Sequence, residues 1–423
     1  MALLNELPEL VENNIISVQT ARDIERYYAT RKEPENNSML TIFGALGGIL
    51  VGLGIILIFA HNWDTFPKTV KTLLAFLPLV VFQVLAGYSI FKDKSAAWRE
   101  ASGTLVFFSV GAAIALVGQI YNIPGNTASF LMTWILLCVP LIYVLRSNVL
   151  VLLHIIFSTY YAVEAGYFSA GRPWLYLLFL AVILPYYISA AKKNPGNNFV
   201  VILHWLLPIS LVICLGAFLE GAQEFGLPIY ISVLSVLYNI GLLPYFRQGP
   251  NGRNGYLVNG LTGITVLLLF TSFKWFWETL AKTKPDIYFI VLWVLFLGVS
   301  SYILTLSKTK GKSLDVFSLA TFIFPLIYLA GLFNNLLAAI LCNVLIMAMG
   351  ITAIRQGMKS FNFSALNFGL AAISALIICR FFDTNISFAI RGLLFVAVGT
   401  GFFLTNYMLI KKKRTINAQT HEN

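Results

Sequence analysis

The chain has 423 residues and a formal net charge of +11; 58% of its residues are hydrophobic and only 11% are charged. Soluble globular domains carry about 25% charged residues, so this composition excludes a water-soluble protein and indicates one that lives in a lipid bilayer. The basic residues form short clusters between apolar segments rather than a stripe interleaved with aromatic side chains, which argues against a nucleic-acid partner.

The first 38 residues are polar and contain no apolar core of a signal peptide, so we expect no cleaved leader. Apolar residues recur at helical spacing from Leu3 to Val11, and two asparagines follow. Ser17 can then cap a second helix. The pattern predicts a cytoplasmic helical hairpin over 1–38, either a docking or regulatory module for a protein partner or a helix pair that rests on the bundle or the bilayer.

Fourteen apolar segments follow, each about as long as a helix that crosses a hydrocarbon core roughly 30 Å thick. They predict an all-α polytopic membrane bundle over 39–410, with a basic tail over 411–423. An error in the count is expected beside the loop 274–284, which carries three lysines and two tryptophans. The predicted spans are 39–60, 69–91, 99–121, 127–145, 149–163, 173–191, 199–218, 227–246, 256–273, 287–306, 314–333, 336–355, 360–382 and 386–410.

Alternate loops differ strongly in their basic residues. With fourteen spans, one side collects 21 of the 29 Lys and Arg residues and the other side keeps 8. Because cytoplasmic loops carry the excess of basic residues, both termini are predicted to be cytoplasmic.

The first predicted span has a face of small residues, Gly44, Gly48 and Gly52, at four-residue spacing. Such a face lets another helix approach closely, which predicts packing within the bundle rather than a dimer contact. Prolines inside spans are compatible with broken helices around a midplane site, although proline is also common in ordinary membrane helices. They are Pro78, Pro140, Pro185, Pro208 and Pro325.

No charged residue is predicted near the centre of a span, which leaves no acidic relay for proton coupling. The polar residues inside the predicted spans can contact a ligand or serve as hydrogen bonds between helices. These mid-membrane candidates are Gln83, His154, His204, Asn239 and Asn343.

Other polar residues gather at the predicted outer ends of the spans. If those ends converge, they line an outer polar vestibule, in which arginines bind an anionic group and carboxylates pair with them. The alternative is that the same residues lock the final hairpin at the headgroups. These candidates are His61, Asp64, Gln119, Tyr121, Glu164, Arg380, Asp383 and Arg391.

Motifs for catalysis or for a cofactor are not found in the sequence. Gly311-Lys312-Ser313 lacks the upstream glycine of a phosphate-binding loop, and neither HExxH nor GxSxG occurs. The four cysteines fall inside predicted spans without metal-ligand spacing. We therefore predict no catalytic residue, no cofactor and no metal site.

Several motifs resemble the bacterial family called domain of unknown function 2157. They are the amphipathic start LVENNIIS, the end AHNW of a glycine-rich first span, and GQIY followed by Pro-Gly-Asn, all within the first 145 residues. The stretch 367–407 is similar to the ending of longer members from Bacteroidetes-type bacteria. The resemblance implies a polytopic protein of the bacterial inner membrane and implies no activity.

The sequence leaves three hypotheses for function. The first is a permease-like protein whose outer vestibule handles a small or amphiphilic solute, such as an envelope precursor, among membrane lipids. The second is a non-catalytic scaffold or sensor that binds another protein, and the third is a lipid-modifying enzyme of the outer leaflet. A cavity reaching from the outer polar residues to Gln83 or His154 would favour transport, whereas a dry bundle would favour a scaffold.

Overall fold

The computed structural model describes residues 15–30, 63–169, 171–247, 253–280, 286–308 and 315–383, together with isolated residues between 7 and 13 and between 389 and 407. Residues 1–74 and 75–423 form two compact units, and each is described by itself. All regular elements within these ranges are helices.

The N-terminal unit contains the helix α1, Val18–Thr30. The hydroxyl of Ser17 accepts a hydrogen bond from the backbone N–H of Thr20 at 3.1 Å, which confirms the predicted helix cap. The hairpin as a whole stays a prediction. The first predicted span, with Gly44, Gly48 and Gly52, lies outside the described residues, as does His61.

Thirteen further α-helices follow along the described chain, and most are joined by short turns. They are α2 (Lys68–Phe91), α3 (Ala96–Ile120), α4 (Thr127–Leu145), α5 (Asn148–Tyr167), α6 (Trp174–Lys193), α7 (Asn198–Phe218), α8 (Gly226–Gly241), α9 (Gly255–Thr271), α10 (Lys274–Leu280), α11 (Ile287–Lys308), α12 (Val316–Phe333), α13 (Asn335–Ser360) and α14 (Phe363–Asp383).

Twelve of the fourteen predicted spans coincide with these helices, while the first lies outside the described residues and the last lies almost entirely outside them. Nine of the described helices are long and apolar enough to cross a membrane, or ten if α9 and α10 are counted as one broken span. The two shorter apolar helices are α8 and the Ala320–Phe333 part of α12. The structure thus shows a polytopic helical membrane protein, and the count of fourteen stays a prediction.

The predicted loop after residue 273 is a helix at its start. α10 follows α9 after a bend of 84°, and its residues Phe276, Trp277 and Leu280 are buried. The indole N–H of Trp277 donates to the backbone oxygen of Thr271 at 2.7 Å, so it satisfies a carbonyl that the bend leaves free. The three lysines of 274–284 led to the prediction of a loop here, although the first part of this segment is a helix with one buried face.

Helices α3, α4 and α5 pack around an aromatic cluster of Phe107, Trp134 and Phe157. The Trp134 ring lies 4.5 Å from the Phe157 ring, centroid to centroid, and its N–H donates to the backbone oxygen of Phe107 at 2.8 Å. Gly111 allows this approach, because a Cβ atom there would come within 2.3 Å of the Trp134 ring. The cluster thus packs the three helices closely against one another.

A carboxylate ties α3 to the start of α5. Glu100 accepts hydrogen bonds from the backbone N–H of Asn148 at 2.8 Å and of Val149 at 3.0 Å, and from the hydroxyl of Ser147. Ser147 in turn caps α5 by accepting from the N–H of Leu150 at 3.1 Å. A negative charge at a helix N-terminus is favourable, so this contact joins the two helices at one end of the bundle.

Candidate binding groove

A partly open groove of about 900 Å³ runs between α2, α3 and α4. Phe76, Leu79 and Gln83 of α2 form one wall, and α3 and α4 form the other walls. The mouth is the turn that joins α3 to α4, which includes Pro124 and Asn126. Its volume falls within the range of about 300–1,000 Å³ that is usual for small-molecule sites.

The groove is amphiphilic, with polar groups concentrated on α4 and at the mouth. Asn126 caps α4 by accepting from the N–H of Ser129 at 2.8 Å, and the hydroxyl of Thr133 donates to the backbone oxygen of Ser129 at 2.9 Å. The remaining lining is mostly aliphatic and aromatic, and none of the described residues that line it is charged. The polar lining residues are Gln83, Asn126, Thr127, Ser129 and Thr133.

Two glycines widen the groove near its mouth. A Cβ atom placed on Gly118 or Gly125 would meet no atom within 4 Å, so any side chain at these positions would enter open space. Gly118 is the first residue of the GQIY motif. The glycine of this motif therefore leaves space in the groove near its mouth.

Gln83 lies at the inner end of the groove. α2 and α3 run antiparallel from the turn at 92–95, next to which the Ser89 and Ser102 hydroxyls lie 3.5 Å apart. Gln83 is six residues further along α2, roughly 9 Å at 1.5 Å per residue, which brings it near the level of Val110 on α3. On α4 the lining continues from Ser129 to Leu137. The groove thus extends from the mouth well into the apolar part of the bundle.

Residues 8–151 match the sequence model of a protein family described as "Predicted membrane protein (DUF2157)". The N-terminal third of this chain carries the DUF2157 signature. The match contains the whole groove, including its mouth at the Pro-Gly-Asn turn. Neither a curated protein nor a solved structure matches the chain significantly.

Of the outer candidates inside the DUF2157 region, Gln119 and Tyr121 are exposed and flank the mouth of the groove without lining it. Asp64, which belongs to the N-terminal unit, is exposed in the short 3-10 helix Trp63–Thr65. Gly118 was known only as part of the GQIY motif, and Ser129 and Thr133 were not predicted as site residues, because a small residue in an apolar helix gives no signal of the direction in which it faces.

The first of the two candidate histidines, His154, lies just beyond the DUF2157 match and is part of the helix packing. His154 of α5, only 2% exposed, contacts the backbone oxygen of Phe179 on α6 through Nε2 at 2.9 Å. It does not line the groove. This contact favours the interpretation of His154 as a hydrogen bond between helices.

The second histidine, His204 of α7, lies beyond the DUF2157 match in an aromatic box. Its imidazole lies next to four aromatic rings in roughly perpendicular arrangements, the nearest being Phe246 at 4.9 Å between centroids. The chain of Gly255 crosses directly over the backbone of His204, where a Cβ atom would come within 2.3 Å of the carbonyl oxygen. The other three rings are those of Tyr187, Tyr245 and Tyr256.

Arg380 and Asn343 converge on the bend between α9 and α10. The amide nitrogen of Asn343 donates to the backbone oxygen of Ser272 at 3.0 Å, and a guanidinium nitrogen of Arg380 lies 3.2 Å from the hydroxyl of the same serine. The guanidinium also lies 4.4 Å from the ring centre of Phe273. The Asn343 contact satisfies a backbone carbonyl at the bend, and the Arg380 contacts join α14 to the same place through side chains.

The predicted outer vestibule stays a prediction as a single site. Glu164 is half-buried near the end of α5, and the backbone there accepts a hydrogen bond from the hydroxyl of Ser169. Arg391 and the side chain of Asp383 lie outside the described residues. Asn239, the remaining mid-membrane candidate, is fully buried in α8.

Proposed function

We propose that this protein is a permease-like protein of the bacterial inner membrane that binds an amphiphilic envelope solute in the groove between α2, α3 and α4. The single observation that carries the proposal is the groove itself, which is about 900 Å³ in volume, apolar along its walls and polar at its mouth. A molecule with a polar head and an apolar tail matches both parts of that lining.

The chemistry of the lining defines the solute more closely. Asn126, Thr127 and Ser129 at the mouth offer amide and hydroxyl groups to the head of the molecule, whereas Phe76 and Leu137 offer apolar walls to its tail. Because no charged side chain lines the described groove, a neutral head group rich in hydroxyl or amide groups suits it better than an anionic one. Gln83 provides one polar contact at the inner end.

The orientation is part of the same proposal. Both termini are cytoplasmic, as supported by the 21 of 29 basic residues that fall on one side of the predicted topology. In this orientation the α3–α4 turn, and with it the mouth, faces the outside. A solute of the outer leaflet would then enter the groove directly.

The test uses a glycine that can be filled without a clash. Gly118→Leu places a side chain in the open groove, and Gly298→Leu on α11 is the matched control, because a Cβ atom there also meets nothing within 4 Å. Each variant is purified from membranes in mild detergent and examined by native mass spectrometry for a bound amphiphile. We expect the wild type and Gly298→Leu to carry it and Gly118→Leu to lose most of it.

A deletion strain supplies the second measurement. Lipid and envelope-intermediate profiles should change on deletion and return to normal with Gly298→Leu but not with Gly118→Leu. If Gly118→Leu folds, inserts, retains the bound molecule and complements the deletion, the groove is not the functional site. Complementation with no bound amphiphile in any sample would instead support the scaffold or sensor function.

A further inference from the structure

Two short apolar helices of the described bundle, α8 and the Ala320–Phe333 part of α12, pack against each other. α8 has 16 residues, which at 1.5 Å per residue gives a length of about 24 Å, less than the roughly 30 Å of a hydrocarbon core. The apolar part of α12, Ala320–Phe333, is also short. Short or interrupted helices in transporters mark the depth at which ions bind, because helix ends present polar backbone groups there.

Buried polar side chains from α8, α11 and α12 meet at this contact and form what is called here the Asn239 cluster. The amide nitrogen of Asn239 donates to the hydroxyl of Ser300 and to the backbone oxygen of Ser318, both at 3.4 Å. The hydroxyl of Ser300 donates to that of Thr321 at 3.2 Å. None of the members is more than 1% exposed. The cluster consists of Ser235, Asn239, Ser300, Ser318 and Thr321.

Two oxygen atoms of the cluster have no hydrogen-bond partner in the part of the chain that the structure describes. They are Oδ1 of Asn239 and Oγ of Ser235, which lie four residues apart and therefore on one face of α8. The orientation of the Asn239 amide is set by Ser318, since a backbone oxygen can only accept and must face the NH₂ group. A buried oxygen without a partner is unfavourable, so a cation or a hydrogen-bond donor bound to these two atoms would stabilise the folded protein.

The electrostatic surroundings favour a positive charge. Asn239 is two residues from the last residue of α8, Gly241, and the carbonyl end of a helix carries a partial negative charge. The carboxylate of Asp315 contacts the cluster at Ser318, whose hydroxyl donates to it at 2.8 Å, and it also accepts from the hydroxyl of Tyr238 at 2.7 Å.

We propose that the Asn239 cluster binds an alkali-metal cation through neutral amide, hydroxyl and backbone oxygens. Hard cations take oxygen ligands, and divalent ions usually require carboxylates among them. Within the ranges that the structure describes, the carboxylate that contacts the cluster is that of Asp315, and it is engaged with Ser318 and Tyr238. A singly charged ion therefore fits the donor set. The proposal does not depend on the groove between α2 and α4.

The experiment measures thermal unfolding of the full-length protein in detergent, in sodium chloride, potassium chloride or choline chloride at equal ionic strength. A ligand that binds only the folded state lowers the unfolding constant by a factor of one plus its concentration over Kd, about 100-fold at 100 times Kd. We expect sodium or potassium to raise Tm saturably relative to choline. Identical unfolding curves in the three salts would overturn the proposal and assign the two oxygens to buried water.

Two variants locate the response, and one serves as a matched control. Ser235→Ala and Asn239→Leu each remove one of the two oxygens and should abolish the shift in Tm between alkali and choline salts. Ser158→Ala on α5 removes an equally buried hydroxyl that also lacks a partner, and it should keep the full shift. Because Ser235→Ala removes a single oxygen atom, it tests the site even where Asn239→Leu does not fold. A shift that survives in Ser235→Ala and in any folded Asn239→Leu would place the ion elsewhere and overturn the proposal.

Discussion

Glu100 offers the sharpest test of how α3, one of the groove helices, is held to the start of α5. Glu100→Ala removes the acceptor for two backbone N–H groups at the start of α5, those of Asn148 and Val149, and for the hydroxyl of Ser147. Hydrogen bonds to charged groups contribute about 1.5–3 kcal/mol each. Because Glu100 is half-buried, water replaces part of the loss. We therefore expect a loss of about 2–3 kcal/mol in the free energy of unfolding.

The assay is equilibrium unfolding in mixed micelles of mild detergent and dodecyl sulfate, followed by helical circular dichroism. Glu100→Gln keeps one acceptor oxygen but not the charge, so it should lose about half as much as Glu100→Ala. Glu164→Ala is the matched control on a neighbouring helix and should stay within about 0.5 kcal/mol of the wild type. A loss of 2–3 kcal/mol corresponds to a change of roughly 30- to 150-fold in the unfolding constant.

Equal midpoints and slopes for Glu100→Ala and Glu164→Ala would show that Glu100 does not stabilise the start of α5. In that case the start of α5 is capped sufficiently by Ser147, which accepts from Leu150 without help from Glu100. An intermediate result with Glu100→Gln equal to Glu100→Ala would show that the charge, rather than the hydrogen-bond geometry, provides the stabilisation.

Two further predictions concern packing and topology. Gly111→Ala would place a Cβ atom 2.3 Å from the Trp134 ring and should lower the free energy of unfolding by about 1–3 kcal/mol in the same assay. Gly118→Ala, with open space at its Cβ, should not destabilise the protein. Equal midpoints for the two variants would contradict the packing of α3 on α4. Reporter fusions after Gly249 and after Asn423 should both give cytoplasmic signals, and signals on opposite sides would disprove the alternation of fourteen spans and the outward mouth of the groove.

The sequence predicted the helices because hydropathy is a local property of the chain. An apolar segment of about 20 residues has one stable arrangement in lipid, a helix whose backbone hydrogen bonds are internal, so its position can be read without knowledge of its neighbours. Hydrogen bonds between residues close in sequence could also be predicted, as the cap of α1 by Ser17 shows. Prediction failed after the bend at Thr271, where a short, partly buried helix occupies the start of a predicted loop.

The sequence did not reveal which polar residues act together, because their contacts join distant parts of the chain. Glu100 reaches residues 47 to 49 positions away, and Asn239 reaches Ser300 and Ser318 across 61 and 79 positions. Hydropathy and charge patterns carry no information about such pairs. The same limit applies to Arg380, whose contact with Ser272 at the bend between α9 and α10 joins positions 108 residues apart; its place in an outer vestibule stays a prediction.

By itself, the sequence determined that this protein is a helical membrane protein, where most of its helices lie, and that its N-terminal third resembles DUF2157. Only the tertiary structure decided that Gly118 and Gln83 share a groove and that Asn239 meets Ser300 between two short helices. The physical reason is that each apolar segment forms a helix in lipid independently of the others, whereas the packing between helices determines which of their faces are in contact.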